Sequence, residues 1–460
     1  MKGLLAVFFI FACNTPAVAG LDYKGINLNA RYHSSNSFGS AASKKTLEDM
    51  TGIGVDSVAI RVAMEIDEFD KPGLVEKVWT GLSQSHIEAQ LKQNHSMGLK
   101  SLLGFHLHIK KKGDGRGFSP WQGMIMFPDK NGYEIFFARY GNIVARYAAL
   151  AAQNGVELLS IGNELSSLSN TVKTKNISGE MQYWLLRART PAEQEYGRKY
   201  AQYLCRFGNF PGGCVEMLAW LEQTRADVNS GRRKPWLVRV EEIPHRHLFV
   251  QLENQRRTYL ESKWRELIAR ARRSFSGKLT YSSNTGQFTQ VSFWDALDFI
   301  SASAYYRIAR EKDGIPLADK PTEEQITSKW TQIARTTGEF LSALPFRRKF
   351  IITELGLGDR RYSLAWPWAF NGLQQLLMPD GTIKGIPFND RPIDTTEREM
   401  LFRSFTRVLE RGLMPWLSGV FIWAAYPDDS TSQDPYSLWR HSNDPSRQAV
   451  ACMFDAEYCQ

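Results

Sequence analysis

Two glutamates sit at the ends of apolar runs in this chain, and their placement is the feature best suited to chemistry. In "ELLSIGNELSSLS" the run 158–161 stops at Gly162, and Asn163 and Glu164 follow at once. In "KFIITELG" the run 349–353 ends on Glu354. Two carboxyl groups facing one gap can divide the work of cleaving a glycosidic bond. One is protonated and releases the leaving sugar, and the other is ionised and attacks the anomeric carbon. Taken alone, Glu164 also suits a helix start, where the helix dipole favours a carboxylate. A second glutamate at a matched position makes the catalytic reading the stronger one.

Such a pair needs a scaffold that brings distant strand ends together. Eight short, mostly continuous apolar segments read as strands: 23–28, 57–62, 99–106, 158–161, 278–282, 298–303, 349–353 and 419–423. Continuous apolar runs fit strands buried on both faces of a parallel sheet. Helix-like stretches lie between them and stop at Gly98, Gly155, Gly277 and Gly412 or before Pro345. The recurring unit predicts an α/β fold, a (β/α)8 TIM barrel. The rival, an open doubly wound sheet, lacks a glycine-rich phosphate loop after its first strand. Segment 171–258 breaks the rhythm where a short loop would join strand 4 to its helix. It reads as a large insertion over the C-terminal face of a barrel spanning 20–460.

Barrel chemistry sits at the C-terminal strand ends. Those ends present Arg61, His106, Asn163-Glu164, Tyr305, Glu354 and Trp423. Strands 4 and 7 lie across a barrel from each other, so Glu164 and Glu354 can converge on one cleft. The charge of Glu354 would then raise the pKa of Glu164. Arg61 would keep Glu354 ionised, or form a purely structural ion pair. His106 would contact sugar hydroxyls. His106 and His108 share a strand face, which also admits a metal site, but no third ligand accompanies them and no metal or cofactor is expected. Trp423 would form an apolar floor for a sugar ring. Trp121, Trp366, Trp368 and Trp439 fall in loops on the same side, where they read as further subsites of an endo-acting enzyme or as packing residues.

The pattern resembles the clan A glycoside hydrolases, and within them glycoside hydrolase family 113, the β-mannanase-like group. The stretches that carry it are "GLKSLLGFHLHI", "SIGNELSSL", "KWRELIARARRSFSGKLTYSSN", "LDFISASAYYRI", "KFIITELGLGDR" and "PWLSGVFIWAAYPDD". They run from residue 99 to the C-terminal end, with no counterpart for 171–258. The resemblance implies a retaining mechanism with Glu164 as acid/base and Glu354 as nucleophile. It also implies that Tyr305 hydrogen-bonds the nucleophile, with Tyr306 able to exchange roles with it.

The remaining features bound the setting. The chain has 460 residues, 43% of them hydrophobic and 23% charged, as in ordinary globular proteins. Lys2, the apolar run "GLLAVFFIFA" and Ala17-Val18-Ala19 read as an export signal over 1–19. That predicts a periplasmic or extracellular protein with no membrane-spanning segment after cleavage. "IFAC" offers a lipoprotein site at Cys13, disfavoured by bulky Phe11. Cys205, Cys214, Cys452 and Cys459 form two closely spaced pairs, which predicts two small-loop disulfides in an oxidising compartment. Zinc is the rival reading and lacks the tight C-x2-C spacing. Of a net charge of +9, much sits in 171–258, where 15 Lys and Arg face 9 Asp and Glu. No nucleic-acid motif accompanies that charge, and it reads as a solvated surface. The function expected is a secreted retaining β-glycoside hydrolase acting on a polysaccharide, β-mannan or a bacterial exopolysaccharide. The alternatives are a non-catalytic carbohydrate-binding barrel, a basic adhesion protein, and a transglycosylase using the same pair. Nothing in the sequence sets an oligomeric state.

Overall fold

A computed structural model describes residues 20–459 apart from 31–35, 77–81, 112–119, 189, 209–210, 235–237, 313, 371 and 428–433. The export-signal reading over 1–19 and Cys13 lie outside the described residues. Among those described, eight parallel strands form one closed ring: β1 Tyr23–Leu28, β2 Ser57–Ile66, β3 Lys100–Ile109, β4 Leu158–Asn163, β5 Lys278–Ser283, β6 Phe299–Ser303, β7 Lys349–Leu355 and β8 Leu417–Ala425. Each pairs with its neighbours in sequence order, and β1 closes the ring by pairing with both β2 and β8. This is the predicted (β/α)8 barrel, and every predicted strand is present. Several extend further at their C-terminal ends than predicted, β2 to Ile66 and β3 to Ile109.

The outer layer begins with α1 Ala41–Thr51, α2 Gln84–Ser96 and α3 Lys130–Gln153. Asp129 caps α3 by accepting from the Gly132 N–H at 2.9 Å. Tyr133, Phe136, Phe137, Tyr140, Val144 and Tyr147 recur at helical spacing and bury one face. The Tyr140 hydroxyl donates to the Ile161 carbonyl of β4 at 2.8 Å, so helix and strand are tied as well as packed.

The chain then enters α4 Pro191–Phe207 and α5 Pro211–Asn229, followed by the 27-residue α6 Arg246–Arg272. The helix that precedes β5 therefore starts at Arg246, inside the segment read as an insertion ending at residue 258. Its two halves serve two cores. Leu260, Trp264, Leu267 and Ile268 join the main barrel core. Phe249 and Leu252 join a second core with Ile177, Tyr196, Tyr200, Leu204 and, from the loop after β3, Met124 and Met126. Between the two apolar stretches the buried face of α6 carries Glu253, Arg256 and Arg257, and Glu253 pairs with both arginines. Trp264 is fully buried, stacks on Phe293 at 5.2 Å and donates its ring N–H to the Leu168 carbonyl at 2.9 Å. Replacing it by alanine would cost about 3–5 kcal/mol. Cys205–Cys214 joins α4 to α5, and Cys452–Cys459 ties down the C-terminal end, both as expected.

The outer layer is completed by α7 Glu323–Ala343, α8 Thr396–Glu410 and α9 Ser446–Phe454. Thr322 and Gln325 form a reciprocal cap at the start of α7. The long loop after β7 carries an antiparallel ribbon, Leu373–Leu377 against Ile383–Pro387. The sequence reading missed it, although "MPDGT" between two apolar runs is a hairpin signal.

Candidate active site

Glu164 follows β4 directly, and Glu354 lies near the end of β7. Gly162 has its place here for a steric reason: a Cβ there would lie 3.0 Å from the Tyr281 ring and 3.1 Å from Trp264. Glu164 has a φ of 51°, a left-handed conformation uncommon for a non-glycine residue. Its N–H donates to the Ser282 carbonyl at 2.7 Å, and the next N–H, of Leu165, donates to the Tyr281 hydroxyl at 2.9 Å. These bonds hold a turn whose backbone cost is of the kind found at functional sites.

Glu354 is the well-supplied carboxylate. Tyr305 donates its hydroxyl to one oxygen at 3.0 Å. The Asn163 amide donates to the other at 3.3 Å, and the Arg61 guanidinium lies 3.7 Å from the same atom. Glu354, Arg61 and Asn163 are all buried. Gly104 makes room for Arg61, because a Cβ there would lie 3.1 Å from the Arg61 stem and guanidinium. Glu164 is supplied differently. The Gln122 amide donates to it at 3.4 Å and the Ser303 hydroxyl lies beside it, neither of them charged.

This asymmetry sets the proton's place. Burial raises the pKa of Glu164 to about 8, and the negative charge of Glu354 adds to the effect, while the Ser303 hydroxyl and Arg61 oppose it. The sequence reading named the Glu354 charge as the cause, and burial is the larger one. Burial also raises Glu354, and Arg61, Tyr305 and Asn163 oppose the rise. Arg61 thus favours the ionised form of Glu354 without overcoming burial. Burial and the nearby Glu354 charge push the Tyr305 phenol well up, so it stays a donor. The surroundings therefore favour the proton on Glu164 and the negative charge on Glu354.

The remaining expected residues fall as follows. His106 lies 3.4 Å from the Asn163 amide and 4.4 Å ring to ring from His108. Burial, His108 and Arg61 hold its imidazole well below its ordinary pKa, so it is neutral. Among the described residues no group of three or more His, Cys, Asp or Glu is placed to hold a metal ion. Trp423 is half-buried in β8, in register with Asn27. Tyr306 packs on Trp330 at 5.9 Å, and the phenol that reaches Glu354 is that of Tyr305. Trp121 packs against the second core and Trp439 against the main one. Trp366 and Trp368 stand together, rings 5.7 Å apart, with the Arg307 guanidinium over both; Trp368 is 47% exposed.

Two residues escaped the sequence reading. Gln122 lies in a single turn, Gln122–Met124, and no strand end marks it. Tyr436 packs edge-on against Tyr305 at 6.2 Å and anchors itself on the Pro367 carbonyl at 2.6 Å. It lies beyond β8 in a stretch without periodicity. Neither left a local signal beyond its residue type.

A closed parallel barrel with a carboxyl pair at the ends of β4 and β7 has the architecture of the barrel glycoside hydrolases. Comparison with known proteins narrows the class. The profile of Glycoside Hydrolase Family 113 matches residues 31–176 and 241–380, more than half of the chain, and the chain belongs to this family. Residues 177–240, the heart of the insertion, fall outside the match. Among solved structures, the GH113 beta-mannanase from Alicyclobacillus acidocaldarius in complex with ManMIm has a TM-score of 0.57 at 19% identity, covering 95% of this chain and 98% of its own. A GH113 beta-1,4-mannanase has a TM-score of 0.59 at 16% identity, covering 95% and 99%. At these identities the likeness establishes the fold. No curated protein sequence matches significantly. The protein is thus a glycoside hydrolase on a (β/α)8 barrel, and no helix among the described residues is long and apolar enough to cross a membrane.

Proposed function

We propose that this protein is an exported, retaining β-glycoside hydrolase that cleaves β-mannan by double displacement. The observation that carries the reading is the unequal supply of the two carboxyl groups. Glu354, given two hydrogen-bond donors and a guanidinium, attacks the anomeric carbon. Glu164, kept protonated near neutral pH, delivers its proton to the leaving oxygen. Once Glu354 is esterified its charge is gone, the pKa of Glu164 falls, and Glu164 takes a proton from the attacking water. The family resemblance supports retention.

Around this pair, the buried Asn163 carbonyl oxygen has no hydrogen-bond partner among the described residues, nor has any Arg61 nitrogen. Those atoms suit sugar hydroxyls, as does His106 at the same rim. Trp423 would carry the apolar face of the sugar. Mannan is favoured because the solved family 113 enzymes that share the fold are mannanases. The exposed Trp368 supports binding of a longer chain, hence endo action. The insertion 171–258 serves as a wall over the C-terminal face: Lys199 and Tyr203 of α4 reach Asp70, in the loop after β2, at 2.6 and 2.8 Å. Two disulfides accord with export.

The test is a glycan-panel assay on protein starting at Gly20, with Glu354→Gln as control and NMR of the first-formed anomer. Release of β-anomeric manno-oligosaccharides supports the proposal. Inversion, or turnover unaffected by Glu354→Gln, overturns it.

A further inference from the structure

The insertion reaches the surroundings of Glu164 from two directions. Tyr196 of α4 donates its hydroxyl to the Met124 carbonyl at 3.1 Å, and the Ser167 hydroxyl meets it at 3.3 Å. Met124 closes the one-turn helix that begins at Gln122, the residue whose amide bonds Glu164. Ser167 lies three residues after Glu164. Thus one phenol links the turn that carries the Glu164 partner to the segment that carries Glu164 itself.

One helical turn further along α4, Tyr200 donates to Glu253 at 2.9 Å and accepts from Arg256 at 3.0 Å. Arg256 also binds Glu253 at 2.7 Å and donates to the Ser167 carbonyl at 2.9 Å. All five of these side chains are buried: Tyr196, Tyr200, Glu253, Arg256 and Ser167. Both tyrosines come from the stretch 177–240 that the family profile does not match.

We infer that the insertion positions the acid/base: Tyr196, supported by Tyr200 and Arg256, fixes Glu164 and Gln122 relative to each other. The inference rests on Glu164 being the acid/base and adds positioning residues from the insertion. A buried hydroxyl that bridges two loops costs little to keep and much to lose, because its removal leaves the Met124 carbonyl without this donor. A glutamate at left-handed φ depends on such support, since its backbone has no local preference for that conformation.

The experiment exploits leaving-group chemistry. A sugar alkoxide needs the proton of an acid, whereas 2,4-dinitrophenolate leaves without one. We compare kcat/KM of Tyr196→Phe and Tyr196→Phe/Tyr200→Phe on mannohexaose and on 2,4-dinitrophenyl β-mannobioside, with Glu164→Gln alongside. The expected result is a loss of roughly 10- to 100-fold on mannohexaose and less than threefold on the activated glycoside, the pattern of Glu164→Gln in milder form. Equal losses on both probes would mean a general structural role and overturn the inference. No loss on either would overturn it too. If Glu164→Gln itself loses equally on both probes, the acid/base assignment fails and the inference falls with it. If only the tyrosine variants lack the pattern, the assignment stands and the inference alone is refuted.

Discussion

Neutralising Glu354 should lower the pKa of Glu164 by a calculable amount. For a retaining pair the carboxyl groups are expected about 5.5 Å apart. At an effective dielectric of about 20, two unit charges at that distance interact by roughly 3 kcal/mol, which corresponds to about two pH units. Glu164 should therefore fall from about 8 to about 6 in Glu354→Gln. It should stay above the ordinary carboxylate value of 4.5, because burial is the larger cause and remains. The assay is a 13C NMR titration of glutamate-labelled protein, with the Glu164 signal identified by its loss in Glu164→Gln. Trapping Glu354 as a 2-deoxy-2-fluoro-glycosyl ester should give the same fall without any mutation. In the wild type, kcat/KM should decline above about pH 8 as Glu164 loses its proton. A Glu164 pKa that stays at about 8 in Glu354→Gln would refute the electrostatic coupling. A fall to 4.5 would refute burial as the main cause.

Three further outcomes follow from the same site. The folded-state pKa of Glu164 is raised, so stability tied to its proton is full below about pH 4.5 and lost progressively as the pH rises to about 8. Glu164→Gln should therefore match the wild type in Tm near pH 4 and exceed it by on the order of a few degrees near pH 8, measured by calorimetry. Arg61→Met removes the cation that opposes the burial of Glu354, so the acid limb of kcat/KM should move to higher pH, with Arg61→Lys between the two. Trp368→Ala should raise KM for mannohexaose by roughly 2- to 10-fold, since an aromatic contact is worth about 0.5–1.5 kcal/mol, and should leave mannotriose kinetics unchanged.

The chain's local patterns already determine a good deal. Apolar runs bounded by glycine or a polar pair mark the eight strands, because a strand buried on both faces must be apolar throughout. The ring order follows from sequence order, which puts the ends carrying Glu164 and Glu354 on one face. Cysteine spacing indicated both disulfides. Only the tertiary structure decided how the two carboxyls differ. The bonds from Asn163 and Tyr305 to Glu354 join residues 191 and 49 positions apart, and no local pattern encodes such distances. The same holds for Gln122, whose amide reaches Glu164 from an aperiodic loop. The insertion shows the limit most clearly. Its sequence reads as a break in the rhythm ending near Thr258, yet α6 runs through that point, its two ends buried in two different cores. Periodicity reports what a segment buries, and only the closed fold reports against what.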